Sequence, residues 1–291
     1  MKQFKLFILT GLLIICQSVT AQTELMDLLQ NSSDSDEVDY TTATFKSTRL
    51  LNGHSIETRT KGVLEFVISH RFGRINGGIS ELYGLDQSFV RFALEYGITD
   101  NINVGFGRSS FDKTVDGFVK YRLMRQSNKT PVTITAFGSM AIDTRNFGNE
   151  IVQDEFAYRI DYTSQILIAR KFTPEFSLQI APTLVHRNFA PGNEANDIFL
   201  LGIGGRYKFT NRLAFDWEFY PQFRNDEHNT ENVLSVGLEI ETGGHVFQLI
   251  FSNATQMIEK GFLTETRDNF LDGDIHFGFN ISRAFNLKTH K

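Results

Sequence analysis

Cysteine is all but missing from this chain, which has a single one, Cys16, among 291 residues. Disulfides and thiolate metal sites are thereby excluded from everything downstream of it. Proline is scarce as well, with 5 residues against 28 Phe and 23 Gly. Beyond the first residues there is no apolar stretch long enough for a membrane helix, so a membrane protein built from this sequence must be a closed barrel. An excess of positive charge is also lacking: the formal net charge is −5 and the pI about 5.8. That balance argues against a nucleic-acid partner.

The opening residues MKQFKLFILTGLLIICQSVTAQ place Lys2 and Lys5 before an apolar run from Leu6 to Ile15, with Val19-Thr20-Ala21 ahead of Gln22. This order predicts a secretory signal over residues 1–21, cleaved after Ala21. A lipid attachment at Cys16 is the rival, but Ile15 stands where a small residue is needed. Cleavage removes the only cysteine. A periplasmic extension follows over 22–61. Its first part, TELMDLLQNSSDSDEVDYTT, is acidic and Ser/Asp-rich and reads as a mobile leader. Its second part, 43–62, has β-compatible residues, poor alternation and an Asn52-Gly53 turn signal. It forms either a small hairpin below the barrel or a segment tucked into its mouth as a plug, and the sequence leaves both open.

Regular alternation starts at Gly62. In QSFVRFALEYG, Val90, Phe92, Leu94 and Tyr96 share one parity and Arg91, Ala93 and Glu95 the other, with Phe89 the exception. After the turn Thr99-Asp100-Asn101, the run NINVGFG puts Ile102, Val104 and Phe106 opposite Asn103, Gly105 and Gly107, which makes a hairpin. The pattern repeats at 63–71, 88–97, 101–109, 115–124, 132–142, 159–171, 175–187, 198–209, 212–223, 233–241, 245–253 and 274–285. About twelve strands result, an even number, as expected of an antiparallel up-and-down transmembrane barrel over 62–285, with a polar tail at 286–291. Short turns at 98–100, 172–174, 210–211 and 242–244, with 125–131 somewhat longer, alternate with long polar loops at 72–87, 143–158, 188–197, 224–232 and 254–273, a set in which only 110–114 is short. This places both termini on the periplasmic side of the outer membrane.

The polar parity carries Arg, Lys and Glu in mid-strand, so the apolar face belongs in lipid and the polar face around a lumen. The lumen-lining candidates are Arg91, Glu95, Lys120, Arg122, Asp161, Arg206, Asp216 and Glu218. Of these Arg91, Lys120, Arg122, Asp216 and Glu218 lie far enough from strand ends to form a constriction. Tyr96, Phe172, Phe176, Tyr207, Phe209 and Phe247 fall at one level, as an interfacial aromatic girdle would. Pro182 and Pro221 interrupt predicted strands, and bulges or early termination are expected there, because proline cannot donate to a ladder. The last strand, GDIHFGFNISRAF, closes on Phe285, as a signal for the barrel-insertion machinery would.

The segments ATFKSTRLLNGHS, SHRFGRI, ELYGLDQS, YGITDNINVGFGRSS and DGFVKYRLMRQ resemble a family of outer-membrane β-barrel proteins carried as a domain of unknown function. The resemblance runs from about residue 43 to the last strand. It implies a fold and a location, and supplies no activity.

Several function classes follow. Interleaved charges of both signs are expected either to pair across the lumen in a closed network or to line a narrow channel for a small solute. A closed barrel serving as a platform for a periplasmic partner is the alternative to the channel. A lipid hydrolase would need a Ser–His arrangement at the lipid-facing rim. His70 and His186 lie near that rim, with Ser69 and Ser109 near its level, but no serine is aligned with either histidine, so no catalytic residue is assigned. The loop acids Asp143, Glu150, Asp154, Glu155, Asp268, Asp272 and Asp274 follow no known calcium-loop spacing. No metal site and no cofactor are expected. A soluble barrel with its faces reversed would have to bury the charges of the polar parity. The partners expected are the outer-membrane bilayer, the insertion machinery and a small solute, around a monomer.

Overall fold

The computed structural model describes residues 38–146, 155–190, 192–224 and 228–287. The expected signal, most of the acidic leader, and Glu150 and Asp154 lie outside the described residues. The chain divides into two compact units, Met1–Asp39 and Tyr40–Lys291, and the architecture below is that of the second.

One antiparallel sheet closes on itself. Its strands are β1 (Val63–Arg74), β2 (Ser88–Gly97), β3 (Ile102–Ser109), β4 (Val115–Met124), β5 (Thr133–Ile142), β6 (Ile160–Lys171) and β7 (Phe176–Arg187). They continue as β8 (Asp197–Lys208), β9 (Leu213–Tyr220), β10 (Gln222–Phe223), β11 (Val233–Thr242), β12 (His245–Ser252) and β13 (His276–Asn286). β9 and β10 are two pieces of one stave broken at Pro221, and both pair with β8, so the wall has twelve staves. Closure comes from β1 pairing with β13, from Val63 opposite Asn286 to Arg74 opposite His276, with an irregularity between Arg71 and Arg74.

Alternation along each strand decides which face turns inward. In β2 the buried positions are Arg91, Ala93, Glu95 and Gly97, while Phe92 and Leu94 are 50% and 46% exposed. The charged parity is inside and the apolar parity outside, the reverse of a soluble sandwich. Across the wall the outward aromatics meet one another: Phe66 stacks on Phe92 at 6.2 Å and Phe72 on Phe277 at 5.8 Å, while Phe251 is tilted against Phe277 at 5.5 Å. Tyr96, Phe172, Tyr207 and Phe209 are exposed at strand ends or in the adjoining turns on the rim of short turns. Phe172 and Phe176 lie 6.0 Å apart, and Tyr207 and Phe209 5.4 Å apart.

The two prolines behave differently. Pro221 ends β9, as expected of a residue without an N–H. At Pro182, by contrast, neither the expected bulge nor a termination occurs. β7 runs through it, paired to Leu201 of β8, while on the β6 side the ladder skips from Gln165–Thr183 to Ile168–Ile180 with its register unchanged. The missing donor is absorbed as a local gap, because the neighbouring pairs hold both strands in place.

The buried core sits inside the barrel. One cluster joins Phe45, Leu50 and Ile56 from before β1 to Phe118, Phe137 and Leu167 of the wall. A second joins wall residues such as Leu200, Tyr220 and Val233 to Ala254, Phe262 and Leu263 of the segment between β12 and β13. That segment carries a single helical turn and a half, α1 (Glu259–Thr264).

Candidate functional site: the lumen and its two inserts

Residues 44–57 occupy the lumen. The chain enters from the rim of short turns, where the Thr41 N–H donates to Gln126 O and Lys171 Nζ to Thr42 O. It doubles back in a tight hairpin in which Leu50 N–H donates to Gly53 O and Arg49 bridges His54. It returns to the same rim, where Thr58 Oγ1 and the Lys61 N–H donate to Asp100. The Asn52-Gly53 pair thus marks a real turn. Glycine is required there by crowding, because a Cβ on Gly53 would run into the Tyr220 hydroxyl. Wall glycines likewise make room for the hairpin: a Cβ on Gly204 would stand 2.8 Å from Leu50 Cδ1, and one on Gly237 2.7 Å from Leu51 Cδ2.

The hairpin has no sheet to join, so its main chain bonds to wall side chains. Lys120 Nζ donates to the carbonyls of Thr48, Ser55 and Glu57 at 2.8, 3.1 and 3.2 Å. Glu218 accepts the N–H groups of Asn52 and Gly53 at 2.8 and 3.1 Å. Neutral residues do as much. Gln179 both accepts from Ile56 N–H and donates to His54 O, each at 2.9 Å, and Gln248 donates to Leu50 O at 2.5 Å. Asn280 donates to Leu51 O at 2.8 Å and Thr135 to Ile56 O at 3.1 Å. Arg71 Nη2 reaches Asn52 Oδ1 at 2.7 Å.

All eight lumen-lining candidates face inward, but they do different things. Lys120 and Glu218 hold the hairpin. Arg91 makes a two-pronged pair with Asp116, at 2.9 and 2.5 Å, along the wall. Arg206 pairs with Glu239 at 2.7 Å and lies 3.9 Å from Asp216. The carboxylates of Glu95 and Asp216 are buried with no hydrogen-bond donor among the described residues. Asp161 sits toward the rim of long loops, 3.2 Å from Lys260 of α1. Arg122 is not at a mid-strand constriction. Its N–H donates to Asn101 O in the short turn between β2 and β3, and its guanidinium lies 3.5 Å from Glu57. The ion pairs described here therefore run along the wall or from wall to insert, and the expected cross-lumen network is replaced at its centre by the hairpin.

Sequence reading missed Arg71, Gln179, Gln248, Asn280 and Thr135. Each stands on the inward parity of its strand. Four of them are neutral, and an extended chain needs donors and acceptors whatever their charge, while Arg71 is charged but closes the strand expected over 63–71, which runs on to Arg74.

A second insert descends from the rim of long loops. α1 lies within it, and Glu259, 3% exposed, accepts Arg49 Nη1 at 3.2 Å and lies 3.4 Å from His54 Nε2. Phe262 packs edge-on against Tyr220 at 5.4 Å. The two inserts meet at Glu259. Of the residues weighed for a rim hydrolase, Ser69 and Ser109 are buried on the lumen side. His70 stacks on Phe279 at 5.1 Å outside the wall, and His186 Nδ1 bonds Asp197 at 2.7 Å. The sheet separates each serine from the histidines.

Residues 45–285 match the family described as "Membrane bound beta barrel domain (DUF5777)". Among curated proteins none matches the sequence. Among solved structures, the chain is similar to the NanC porin (9% identity, TM-score 0.48, covering 76% of this chain and 98% of that one). It is similar also to the KdgM porin (8%, 0.47, 77% and 99%) and to an outer membrane channel from Pseudomonas putida F1 (14%, 0.45, 79% and 98%). A closed wall, an apolar exterior and a match that runs from the lumen hairpin to the last strand agree: the chain is an outer-membrane β-barrel and belongs to the DUF5777 membrane bound beta barrel family.

Proposed function

We propose that this barrel is a narrow channel for a small solute, held shut at rest by residues 44–57. The observation that carries this reading is the way wall charges are satisfied. Lys120, Glu218 and Arg71 bond to the plug and not to one another across the lumen. Withdrawal of the hairpin would leave a passage lined by charges of both signs, which water can hydrate, and both ends of the hairpin are tethered at the periplasmic rim. The porin likenesses are compatible with this reading. The leader at 1–21, the extension at 22–61, monomeric assembly and delivery by the barrel-insertion machinery belong to the same reading.

A second reading is favoured by one observation. Phe45, Leu50 and Ile56 bury apolar surface against the wall, and fully burying such a side chain is worth ~1.5–3 kcal/mol. A plug so anchored suits a closed platform whose extension meets a periplasmic partner. Single-channel current in planar bilayers separates the two. The mature chain should be silent and a chain lacking residues 22–58 should conduct. Silence in both would leave the platform, and current in both would overturn a resting plug.

A further inference from the structure

The rim of long loops encloses a cavity of about 630 Å³ above the lumen, lined by wall residues, by loops and by α1. Both signs of charge line it, and they are held in small sets. Lys260 of α1 lies between Asp161, at 3.2 Å, and Glu265. Burial works against its charge, but the two carboxylates outweigh that and keep the ammonium protonated well above the ordinary lysine range. Arg187 is 4% exposed. It donates Nη1 to Glu194 at 2.9 Å and Nη2 to Ala195 O at 2.6 Å, while its Nε is buried with no partner among the described residues. One ammonium thus has two carboxylates, and one guanidinium has an N–H left over.

A solute with an ammonium and a carboxylate matches that arrangement. Its ammonium can share a carboxylate of the Lys260 set and its carboxylate can take up the guanidinium edge, so the second carboxylate and the unmet N–H are both satisfied. A solute of one sign would satisfy one of the two and leave the other. α1 joins this cavity to the plug. Its consecutive residues Glu259 and Lys260 bond to opposite partners, Arg49 in the lumen and Asp161 in the cavity wall. A shift of so short a helix in response to Lys260 is felt at Glu259.

We propose that this vestibule binds a small solute carrying both an ammonium and a carboxylate, and that Glu259 relays its arrival to the plug. The relay rests on the reading of residues 44–57 as a releasable plug, whereas binding does not. The test uses the mature chain in detergent and the dipeptide Lys-Glu as probe. Calorimetry should show saturable binding of the dipeptide, and much weaker heats with spermidine, citrate or sucrose. Arg187→Lys and Glu265→Gln should each weaken binding about tenfold or more, equivalent to ~1.4 kcal/mol. Equal binding of all four probes, no binding, or unchanged affinity in both variants would overturn the site.

The relay is read separately, by maleimide labelling of Ser55→Cys, a position fully buried in the plug. The only native cysteine, Cys16, lies in the predicted leader. The dipeptide should speed labelling several-fold, and Glu259→Gln should abolish that response while leaving dipeptide affinity intact. Labelling that ignores the dipeptide would overturn the relay. Conductance after truncation judges the channel reading on its own, so a failure of either is recognisable.

Discussion

The imidazole of His54 lies 4.5 Å from the rings of Phe118 and of Phe137, wholly buried in the plug. Burial, followed by the positive charges of Arg49, Lys120 and Arg91, holds its pKa well below the usual 6.5. Glu259 of α1 faces the same ring but is already committed to Arg49. The sign follows from linkage: a released plug binds a proton below about pH 6.5 that the seated plug does not, so seating is strongest above that pH and weakens as pH falls toward the depressed value. Labelling of Ser55→Cys, divided at each pH by that of the same cysteine in the urea-unfolded chain to remove the loss of thiolate, should therefore quicken between pH 7.5 and 5.5. His54→Asn should flatten that dependence, and an unchanged slope in His54→Asn would assign the effect to other groups.

Among the elements, the strands were the most legible. Period-two alternation places all twelve staves to within three residues at either end, because one face must meet lipid and the other cannot. Leu94 stands on the exposed face of β2, so Leu94→Arg should cost ~2–4 kcal/mol if its level is near the bilayer midplane, measured by urea unfolding in lipid vesicles. A neutral result would say that this face does not meet lipid. The inserts were less legible. Residues 43–62 lack alternation because their partners are side chains of a surrounding wall, not a neighbouring strand, and α1 is too short to show a helical period. Asn52-Gly53 was the one local mark of the plug, and it named a turn without saying where the turn sits. The five neutral or unflagged wall residues that grip the plug were readable in parity alone. Arg122 differs from expectation because a position two residues from a strand end looks interior in sequence and is already at the rim in the barrel.

At the scale of the whole molecule, the same wall is polar within and apolar without, and its interior is completed by two inserts from opposite rims. This makes the protein's solvent relations inseparable from its assembly. The wall is sealed by pairing its first strand with its last, and the hairpin immediately precedes the first. In chain order the plug is therefore made before any part of the wall, and the seam that encloses it is made after everything else. A wall curling around a filler already tethered to its leading edge has a template for its curvature, and lumen charges find partners before the seam shuts. The chain lacking residues 22–58 should then seal more slowly from urea into lipid vesicles than the mature chain, as followed by the shift to the heat-modifiable compact band in electrophoresis. Equal rates would mean that the hairpin enters a finished cylinder. If the rates differ as expected, the segment that shuts the passage in the finished protein is also the mandrel on which the cylinder was rolled.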